Sequence, residues 1–283
     1  MKKSALFHQK FVDTNTIESI SHILESIASI RIQQIKDEVL ESREFFLRLW
    51  SIYSQLRVSE KDVELDGSDS EKKIDRPAVV LVTANAGLTG EIDSHLVNST
   101  LQEVDTNKAD FFVVGKHGES LLRQRGINPK AAFKFPEITE EIDITELTTA
   151  LRQYDKPVVY YPSYESLSVQ RVVSLPLVET VQRLSEEDRE LDPSQIISPD
   201  KCLFEPSVNE VVKYLEQMMI STTLTEIVLE SSLAQLASRF NAMNSASSRA
   251  KDMSRDLFKN YVQLKRYESD EANRKYNKRK VRT

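Results

Sequence analysis

The sequence predicts an α/β fold: a long antiparallel coiled coil of N- and C-terminal helices, plus a small central Rossmann-like domain with a mainly parallel sheet. All six glycines lie between Gly67 and Gly126, and all nine prolines lie between Pro77 and Pro206. Both ends therefore lack the residues that most often interrupt helices. Apolar residues recur every three or four positions at both ends, and short β-branched runs fill the middle. The expected divisions are 1–66 (N-terminal helix), 74–200 (central domain) and 207–283 (C-terminal helix).

The N-terminal stretch is typical of a helix with one apolar stripe. Side chains in Asp13–Thr16 can cap a helix N-terminus, so we expect the helix to begin there and to reach the polar segment 59–73, a loop. About 45 helical residues would span roughly 65 Å, more than the roughly 30 Å of a small domain. Part of the helix should therefore project. The apolar stripe comprises Ile17, Ile20, Leu24, Ile27, Ala28, Ile35, Val39, Phe46, Leu49, Trp50, Tyr53 and Leu56.

The C-terminal stretch repeats this pattern after Pro206. Between Ser231 and Ala250 the stripe changes to alanine and serine, which lets a partner helix approach closely. Two long helices at opposite chain ends can bury their apolar stripes most simply by pairing with each other as an antiparallel coiled coil. The expected apolar positions are Val208, Val211, Val212, Leu215, Met218, Met219, Leu224, Ile227, Val228, Leu236, Phe240 and Met243.

The middle of the chain predicts a small α/β layer. Three apolar runs are consistent with buried strands, and helical segments separate them, which favours parallel pairing. A further run, 171–175, is expected as an edge strand that ends at Pro176, and 183–201 reads as a surface connection. The expected strands are 79–83, 111–115 and 157–161, and the expected helices are about 91–106, 118–126 and 144–154.

Charge and composition exclude several classes of protein. The net charge is −6, which argues against a nucleic-acid binder that works through bulk charge. The last ten residues hold six bases and no acid, so the rest of the chain carries −12. One cysteine, Cys202, permits no internal disulfide, and no apolar run is long enough to span a bilayer. We expect a soluble or peripheral protein with a short basic tail and no secretory signal.

No catalytic or metal motif emerges. Segment Asn85–Gly90 lies between a strand and a helix, where a phosphate could bind, yet it lacks both nucleotide-binding spacings, so a tight turn is favoured. Gly115–Ser120 is read in the same way, with anion binding by Lys116 as the alternative. Cys202 is expected to be a packed thiol. The histidines lack metal-ligand spacing, and the carboxylates of a solvated acidic loop need no catalytic role; these are His8, His22, His95 and His117, and Glu137, Glu140, Glu141 and Asp143.

Six segments in order resemble the γ subunit family of F-type ATP synthases. ISHILESIASIRI at Ile20–Ile32 is similar to I-T-K-A-M-E-M-V-A-A-S-K-M, and SREF at Ser42–Phe45 is similar to S-R-P-Y at the same spacing. LVTANAGLTG at Leu81–Gly90 resembles V-V-S-T-D-R-G-L-C-G, the most recognisable motif. FFVVGKHG at Phe111–Gly118 resembles the second strand with its I-G-x-K-G turn. LFEP, followed by ASRFNAMNSA at Ala237–Ala246, resembles Y-E-P and A-A-R-M-V-A-M-K-A-A.

The chain departs from this family at two places. Gln33 and Gln34 stand where the family has basic residues after the Arg31 position. The family ends near R-Q-x-x-I-T-x-E-I-x-E-I with small apolar residues, whereas this chain has Lys265, Arg266 and a charged, basic end. An apolar bearing surface has become a charged one.

The resemblance implies a non-catalytic central rotor shaft without cofactor or metal, peripheral to the cytoplasmic face of a bacterial plasma membrane. It implies three α and three β subunits, an ε subunit and a membrane c ring as partners, and no nucleic acid. Ile20–Gln34 and Phe240–Arg266 would form the shaft, and the turns Gly87–Gly90 and Gly115–Gly118 would shape a foot near ε and c. The implied subunit contacts are Glu25, Ile27, Ala28, Arg31, Gly87, Leu88, Gly90, Arg239, Ala242, Met243, Lys265 and Arg266.

Two alternatives of other classes stay open at this stage. One is a coiled-coil scaffold, or a paralogous shaft of a different motor, and copurification with ATPase subunits would discriminate against it. The other is an α/β enzyme with helical extensions, which nucleotide binding by the isolated protein would favour.

Overall fold

A computed structural model describes residues 3–60, 74–135, 142–177, 205 and 207–280. Contacts divide the chain into two compact units, residues 1–29 with 239–283 and residues 30–238. The helices described are α1 (Lys3–Glu60), α2 (Ile92–Glu103), α3 (Lys116–Gln124), α4 (Thr145–Leu151) and α5 (Val208–Lys280), and the strands are β1 (Ala78–Val82), β2 (Asp110–Val114), β3 (Ala131–Phe133), β4 (Pro157–Tyr164) and β5 (Gln170–Pro176).

The 30–238 unit contains a five-stranded sheet with the order β3-β2-β1-β4-β5. The first four strands are parallel, and β5 pairs with β4 in the antiparallel direction. The predicted parallel sheet and its edge strand are confirmed. Strand β3 was not predicted, because its three residues include two alanines and give no β-branched run.

Both faces of the sheet are covered by helices. Val80 and Val82 of β1 pack in one cluster with Leu224 and Ile227 of α5. The alternate residues of β1 point to a second cluster on the other face, which contains Leu96 of α2. A strand buried on both faces needs apolar residues at consecutive positions, which explains the continuous apolar runs in the sequence.

Within the 30–238 unit, α1 and α5 pair antiparallel. Ile35 packs with Leu229, Leu233 and Leu236, while Tyr53, farther along α1, packs near the start of α5. The Tyr53 hydroxyl donates to Glu216 Oε1 at 2.8 Å. Residue numbers therefore rise along α1 as they fall along α5.

The 1–29 and 239–283 unit shows the same antiparallel pairing. Ser4 Oγ donates to Glu268 Oε2 at 2.6 Å, and Ser254 Oγ donates to Asn15 Oδ1 at 2.5 Å. Between these bonds, the rings of Phe11 and Phe258 lie 5.3 Å apart, centroid to centroid. The ends of the chain are thus held together by polar bonds that flank aromatic contacts.

The predicted start of α1 at Asp13–Thr16 is wrong, because the helix begins at Lys3. Thr14 Oγ1 and Thr16 Oγ1 donate to carbonyls one turn earlier, those of Lys10 and Val12. These side chains therefore serve the interior of a helix and not its cap. Contacts of Ser4, His8 and Phe11 with α5 extend the helix past the local capping signal.

The predicted apolar stripe on α1 is correct at Ala28 and Ile35, which are both buried. Ile17, Ile20 and Ile27, by contrast, are 55%, 52% and 47% exposed, so this part of the stripe is not the face that packs within the chain. The buried seam instead repeats every seven residues and uses small or polar side chains, namely Thr14, Ser21 and Ala28 before Ile35. A seven-residue repeat is typical of helices that pack as a coiled coil.

Several boundaries shift, and some expectations lie outside the described residues. Helix α3 begins at Lys116, so Gly118, placed in a turn by the sequence pattern, lies within a helix. The expectations that fall on residues outside those described are the ones for most of 59–73, all of 183–201, Cys202, and Glu137, Glu140 and Glu141.

The amino-terminal edge of the sheet is closed by polar contacts around Asp110. Its Oδ2 accepts from the Tyr154 hydroxyl at 2.6 Å and from Lys130 Nζ at 3.0 Å. Arg76 lies 3.2 Å from Oδ1. The bond from Tyr154 is the largest cause that holds the pKa of Asp110 below its ordinary value of 3.8, with Lys130 and Arg76 acting in the same direction.

We expect Asp110→Asn to lower the free energy of unfolding by about 1.5–3 kcal/mol at pH 7, because bonds to a charged acceptor are replaced by bonds to a neutral one. The pKa of Asp110 is lower in the folded than in the unfolded chain. Its contribution is therefore full above the unfolded value and is lost as pH falls through the folded value. Urea unfolding from pH 7 to pH 3 should show the difference between the two proteins narrowing in acid.

The control variant is Asp256→Asn, whose carboxylate is exposed and pairs with Lys259 one turn away on its own helix. It should change stability by less than about 0.5 kcal/mol. A difference between wild type and Asp110→Asn that stays constant with pH would contradict the assignment.

Candidate interaction surfaces

The turn after β1 is packed against the start of α3. Thr83 Oγ1 donates to the carbonyl of Val114 at 2.9 Å and accepts the N–H of Gly118 at 3.0 Å. A Cβ at Gly118 would lie 2.4 Å from that same Oγ1. Glycine at this position therefore lets α3 approach the end of β1.

Gly115 connects β2 to α3 in a conformation that other residues rarely adopt. Its φ is +99°, and a Cβ there would lie 2.1 Å from the backbone oxygen of Thr83. Its N–H donates to the carbonyl of Phe133 at 2.8 Å. The G-x-K-G-like turn is thus required by the close packing of three strand ends.

Segment Asn85–Gly90 forms a tight turn, as predicted. The Asn85 side chain pairs with the backbone of Phe135: Nδ2 donates to its carbonyl at 2.6 Å, and Oδ1 accepts its N–H at 3.1 Å. Beyond Asn85, Gly87, Leu88 and Gly90 are exposed.

Leu88 is the notable side chain of this turn. It has a φ of 66° and is 62% exposed. An L-residue in the left-handed region costs roughly 1–2 kcal/mol, and an apolar side chain gains nothing from exposure. The turn therefore presents an exposed apolar side chain in a conformation that L-residues rarely adopt.

A buried polar network underlies the same turn. Asp93, which is fully buried, accepts a hydrogen bond at Oδ2 from Thr89 Oγ1 at 3.2 Å, and His117 Nδ1 lies 2.7 Å from the same oxygen. The backbone carbonyl of Thr89 accepts from Ser238 Oγ of α5 at 2.7 Å. One carboxylate therefore joins α2 to α3 and supports the turn that contacts α5.

The predicted contact residues on the two long helices differ in accessibility. Ala28 and Met243 are buried within this chain, whereas Ile27, Lys265 and Arg266 are exposed. Lys265 Nζ lies 5.4 Å from the ring centroid of Tyr261. The remaining predicted residues are half-buried, namely Glu25, Arg31, Arg239 and Ala242.

An apolar surface lies on α1, and Ile27 is its one residue that the resemblance implies as a subunit contact. Ile17, Ile20, Ile23 and Ile27 are each between 47% and 57% exposed, and we call them the outer isoleucine face. Four large aliphatic side chains within three helical turns are far more than scattered surface residues. The signal was present in the sequence, because the apolar arc of this segment is too wide for a single partner helix.

Neither a bilayer-spanning helix nor a metal-holding cluster occurs among the described residues. No helix among them is long and apolar enough to cross a bilayer. The same residues contain no group of three or more histidine, cysteine or acidic side chains placed to hold a metal ion.

Comparisons with known proteins converge on one family. A family model described as ATP synthase matches residues 6–266. The ATP synthase gamma chain of Cytophaga hutchinsonii is 22% identical over 266 residues, covering 88% of each chain. The gamma chain of Elusimicrobium minutum is 29% identical over 254 residues, covering 80% of this chain and 81% of that one.

Solved structures show the same fold. The rotor of Euglena gracilis mitochondrial ATP synthase matches with a TM-score of 0.59 at 18% identity, covering 93% of this chain and 98% of that one. A chain of the Tetrahymena thermophila central stalk and c-ring structure matches with a TM-score of 0.55 at 18% identity, covering 81% and 99%.

Proposed function

Because the chain belongs to the ATP synthase family, we propose that it is the gamma subunit, the central rotor shaft of an F-type ATP synthase. The observation that carries the proposal is the pairing of both chain ends as antiparallel helices, seen in each unit and matched in fold by the Euglena rotor. The relatives are gamma chains that match this chain over most of its length. The chain is a subunit of the synthase, and within it we assign a non-catalytic role.

The partners follow from this assignment. The shaft lies in a ring of three α and three β subunits, and its foot contacts the ε subunit and the membrane c ring. The chain is associated with the membrane peripherally, through the complex, at its cytoplasmic face. Of the three divisions of the chain, 1–66 and 207–283 form the shaft, and 74–200 forms the foot.

The shaft acts by contacting the three nucleotide sites of the ring unequally. Three nucleotide sites of identical sequence differ only if the shaft binds their conformations with different affinity, since a ligand shifts an equilibrium by its differential affinity alone. Reversing a 1:99 preference requires about 5.5 kcal/mol. One charge that crosses 100 mV supplies roughly 2.3 kcal/mol, so a few ions per step suffice.

The exposed residues divide between two contacts. The outer isoleucine face, with Glu25 and Arg31 beside it, is assigned to the ring. Gly87, Leu88 and Gly90 are assigned to the foot. Lys265 and Arg266 are assigned to polar contacts with the ring near the end of the shaft, where the family has an apolar bearing surface.

Purification from membranes tests the assignment directly. A tagged chain should copurify with α-like and β-like ATPase subunits and with a c ring, and the companions are identified by mass spectrometry. Copurification with unrelated proteins alone would favour the scaffold alternative.

Substitution of the outer isoleucine face should weaken assembly. We expect Ile20→Gln with Ile27→Gln to lower the affinity for the α/β ring at least tenfold, because burying each isoleucine contributes about 1.5–3 kcal/mol. Stability of the free chain should hardly change, since both side chains are already about half exposed. Reconstitution of the ring at graded concentrations of variant chain gives the affinity.

A matched control is available on the same helix. Leu40 and Leu47 are 59% and 57% exposed but lie outside the outer isoleucine face. Leu40→Gln with Leu47→Gln should assemble like wild type. Equal assembly by both double variants would show that the outer isoleucine face is not the ring contact.

A further inference from the structure

The turn that follows β1 is tied to α5 by a hydrogen bond from Ser238. Its Oγ donates to the backbone carbonyl of Thr89 at 2.7 Å, across 149 positions of the chain. Ser238 is half-buried, Thr89 is fully buried, and Ser238 is the last residue of the 30–238 unit. The bond therefore connects the central domain with α5 at the end of that unit.

Thr89 is itself held in place by Asp93. The Thr89 side chain donates to Oδ2 of Asp93 at 3.2 Å, and His117 Nδ1 lies 2.7 Å from the same oxygen. His117 keeps 27% of its side chain exposed, whereas Asp93 has none. Elements α2 and α3 and the turn after β1 thus meet at one carboxylate oxygen.

Stability alone gives no reason for this carboxylate. Its other oxygen, Oδ1, is buried and has no hydrogen-bond partner among the described residues. A buried carboxylate with one unsatisfied oxygen is costly, and a well-packed apolar residue usually stabilises such a site better. What Asp93 supplies is a fixed point between Thr89 and His117.

We propose that Asp93 is a positioning residue: it holds Thr89 so that the Thr89 carbonyl receives Ser238, and this contact, beyond the apolar packing of α5 on the sheet, holds α5 to the central domain at Ser238 while the shaft carries torque. The proposal rests on the assigned function of the chain as a rotor shaft. The proposal does not involve the residues that are assigned to contacts with the ring.

The first test removes the donor. In membrane vesicles that carry the whole synthase, the ATP-driven membrane potential is measured with a potential-sensitive dye and divided by the rate of ATP hydrolysis. We expect Ser238→Ala to lower this ratio at least twofold. Ser238→Thr keeps a hydroxyl and should restore the ratio, which loss of packing alone would not predict.

A control lies on the same helix. Thr225 Oγ1 donates to the carbonyl of Ser221, within α5 itself. Thr225→Val removes that bond, which does not link α5 to the central domain, so the ratio should equal the wild-type value. An equal loss in Thr225→Val and Ser238→Ala would overturn the proposal.

The second test asks whether Asp93 acts through Thr89. Thr89→Val keeps the shape of the side chain and the backbone carbonyl but removes the donor to Asp93, and should lower the ratio as Ser238→Ala does. Thr89→Val combined with Ser238→Ala should be no worse than either alone, because both break one connection. Losses that multiply, or a wild-type ratio in Thr89→Val, would overturn the proposal.

If Asp93→Ala folds, it should lower the ratio as Thr89→Val does. If Asp93→Ala does not fold, the ratio measured for Thr89→Val is the test of the proposal. Failure of the wild-type chain to assemble with the ring would overturn the assigned function together with the proposal. Normal pumping by wild type and Ser238→Ala alike would overturn the proposal alone.

Discussion

Proline at position 242 should abolish coupled ATP synthesis while leaving part of the ATP hydrolysis. Ala242 is a half-buried residue in the interior of α5, far from either end of the helix. Proline there removes a backbone hydrogen bond, and its ring clashes with the preceding turn, at about 3 kcal/mol or more. The helix kinks, and a kinked shaft no longer presents its asymmetric surface to three sites in turn.

The measurement compares two rates in the same vesicles. We expect synthesis driven by an imposed gradient to fall at least tenfold, with hydrolysis reduced much less. Ala242→Ser keeps the backbone N–H and is the control, which should synthesise ATP at close to the wild-type rate. Normal coupling in Ala242→Pro would defeat the rotor assignment.

Alanine at position 115 should be the most destabilising single methyl addition among the described glycines. The new Cβ would lie 2.1 Å from the Thr83 backbone oxygen and 2.7 Å from that of Ala84, and φ is +99°. Backbone atoms cannot move aside as a flexible side chain can. Backbone strain of this kind costs about 1–3 kcal/mol before the clash is counted, so we expect a loss of at least about 3 kcal/mol.

Two other glycines separate the causes of that loss. Gly126 has a positive φ of +78° but open space around the missing Cβ, so Gly126→Ala should cost only the roughly 1–2 kcal/mol of its conformation. Gly87 has open space and no positive φ, so Gly87→Ala should change stability by less than about 0.5 kcal/mol. Urea unfolding followed by circular dichroism gives the three values. Equal losses at 115 and 126 would show that the Thr83 contact is not the cause.

The fold could be predicted well from sequence because its strongest determinants are local. Consecutive apolar residues in Val79–Val82 and Phe111–Val114 specify strands covered on both faces, and both strands are found. The start of α1 could not be predicted in this way. Thr14 and Thr16 carry a local capping signal, and only contacts with residues some 240 to 260 positions away in the chain overrule it.

The candidate contacts were harder to predict than the fold. Periodicity shows which positions share a helix face, but it does not show which of two apolar faces meets α5. The stripe that contains Ile20 and Ile27 is therefore not the face that is buried within the chain, which includes Ser21 and Ala28. Asp93 carries no sequence motif, because its partners Thr89, in the turn after β1, and His117, in α3, come together only once the sheet has formed.

The bonds between Ser4 and Glu268 span 264 positions, which has a consequence for biogenesis. During translation the first helix emerges long before its partner and must wait, its seam and its outer isoleucine face both open to water. Contacts so remote in sequence form late and slowly, and waiting apolar surface invites association with other nascent chains. The apolar surface of α1 is therefore exposed during synthesis until α5 has been made, and only its seam is covered when the two helices pair.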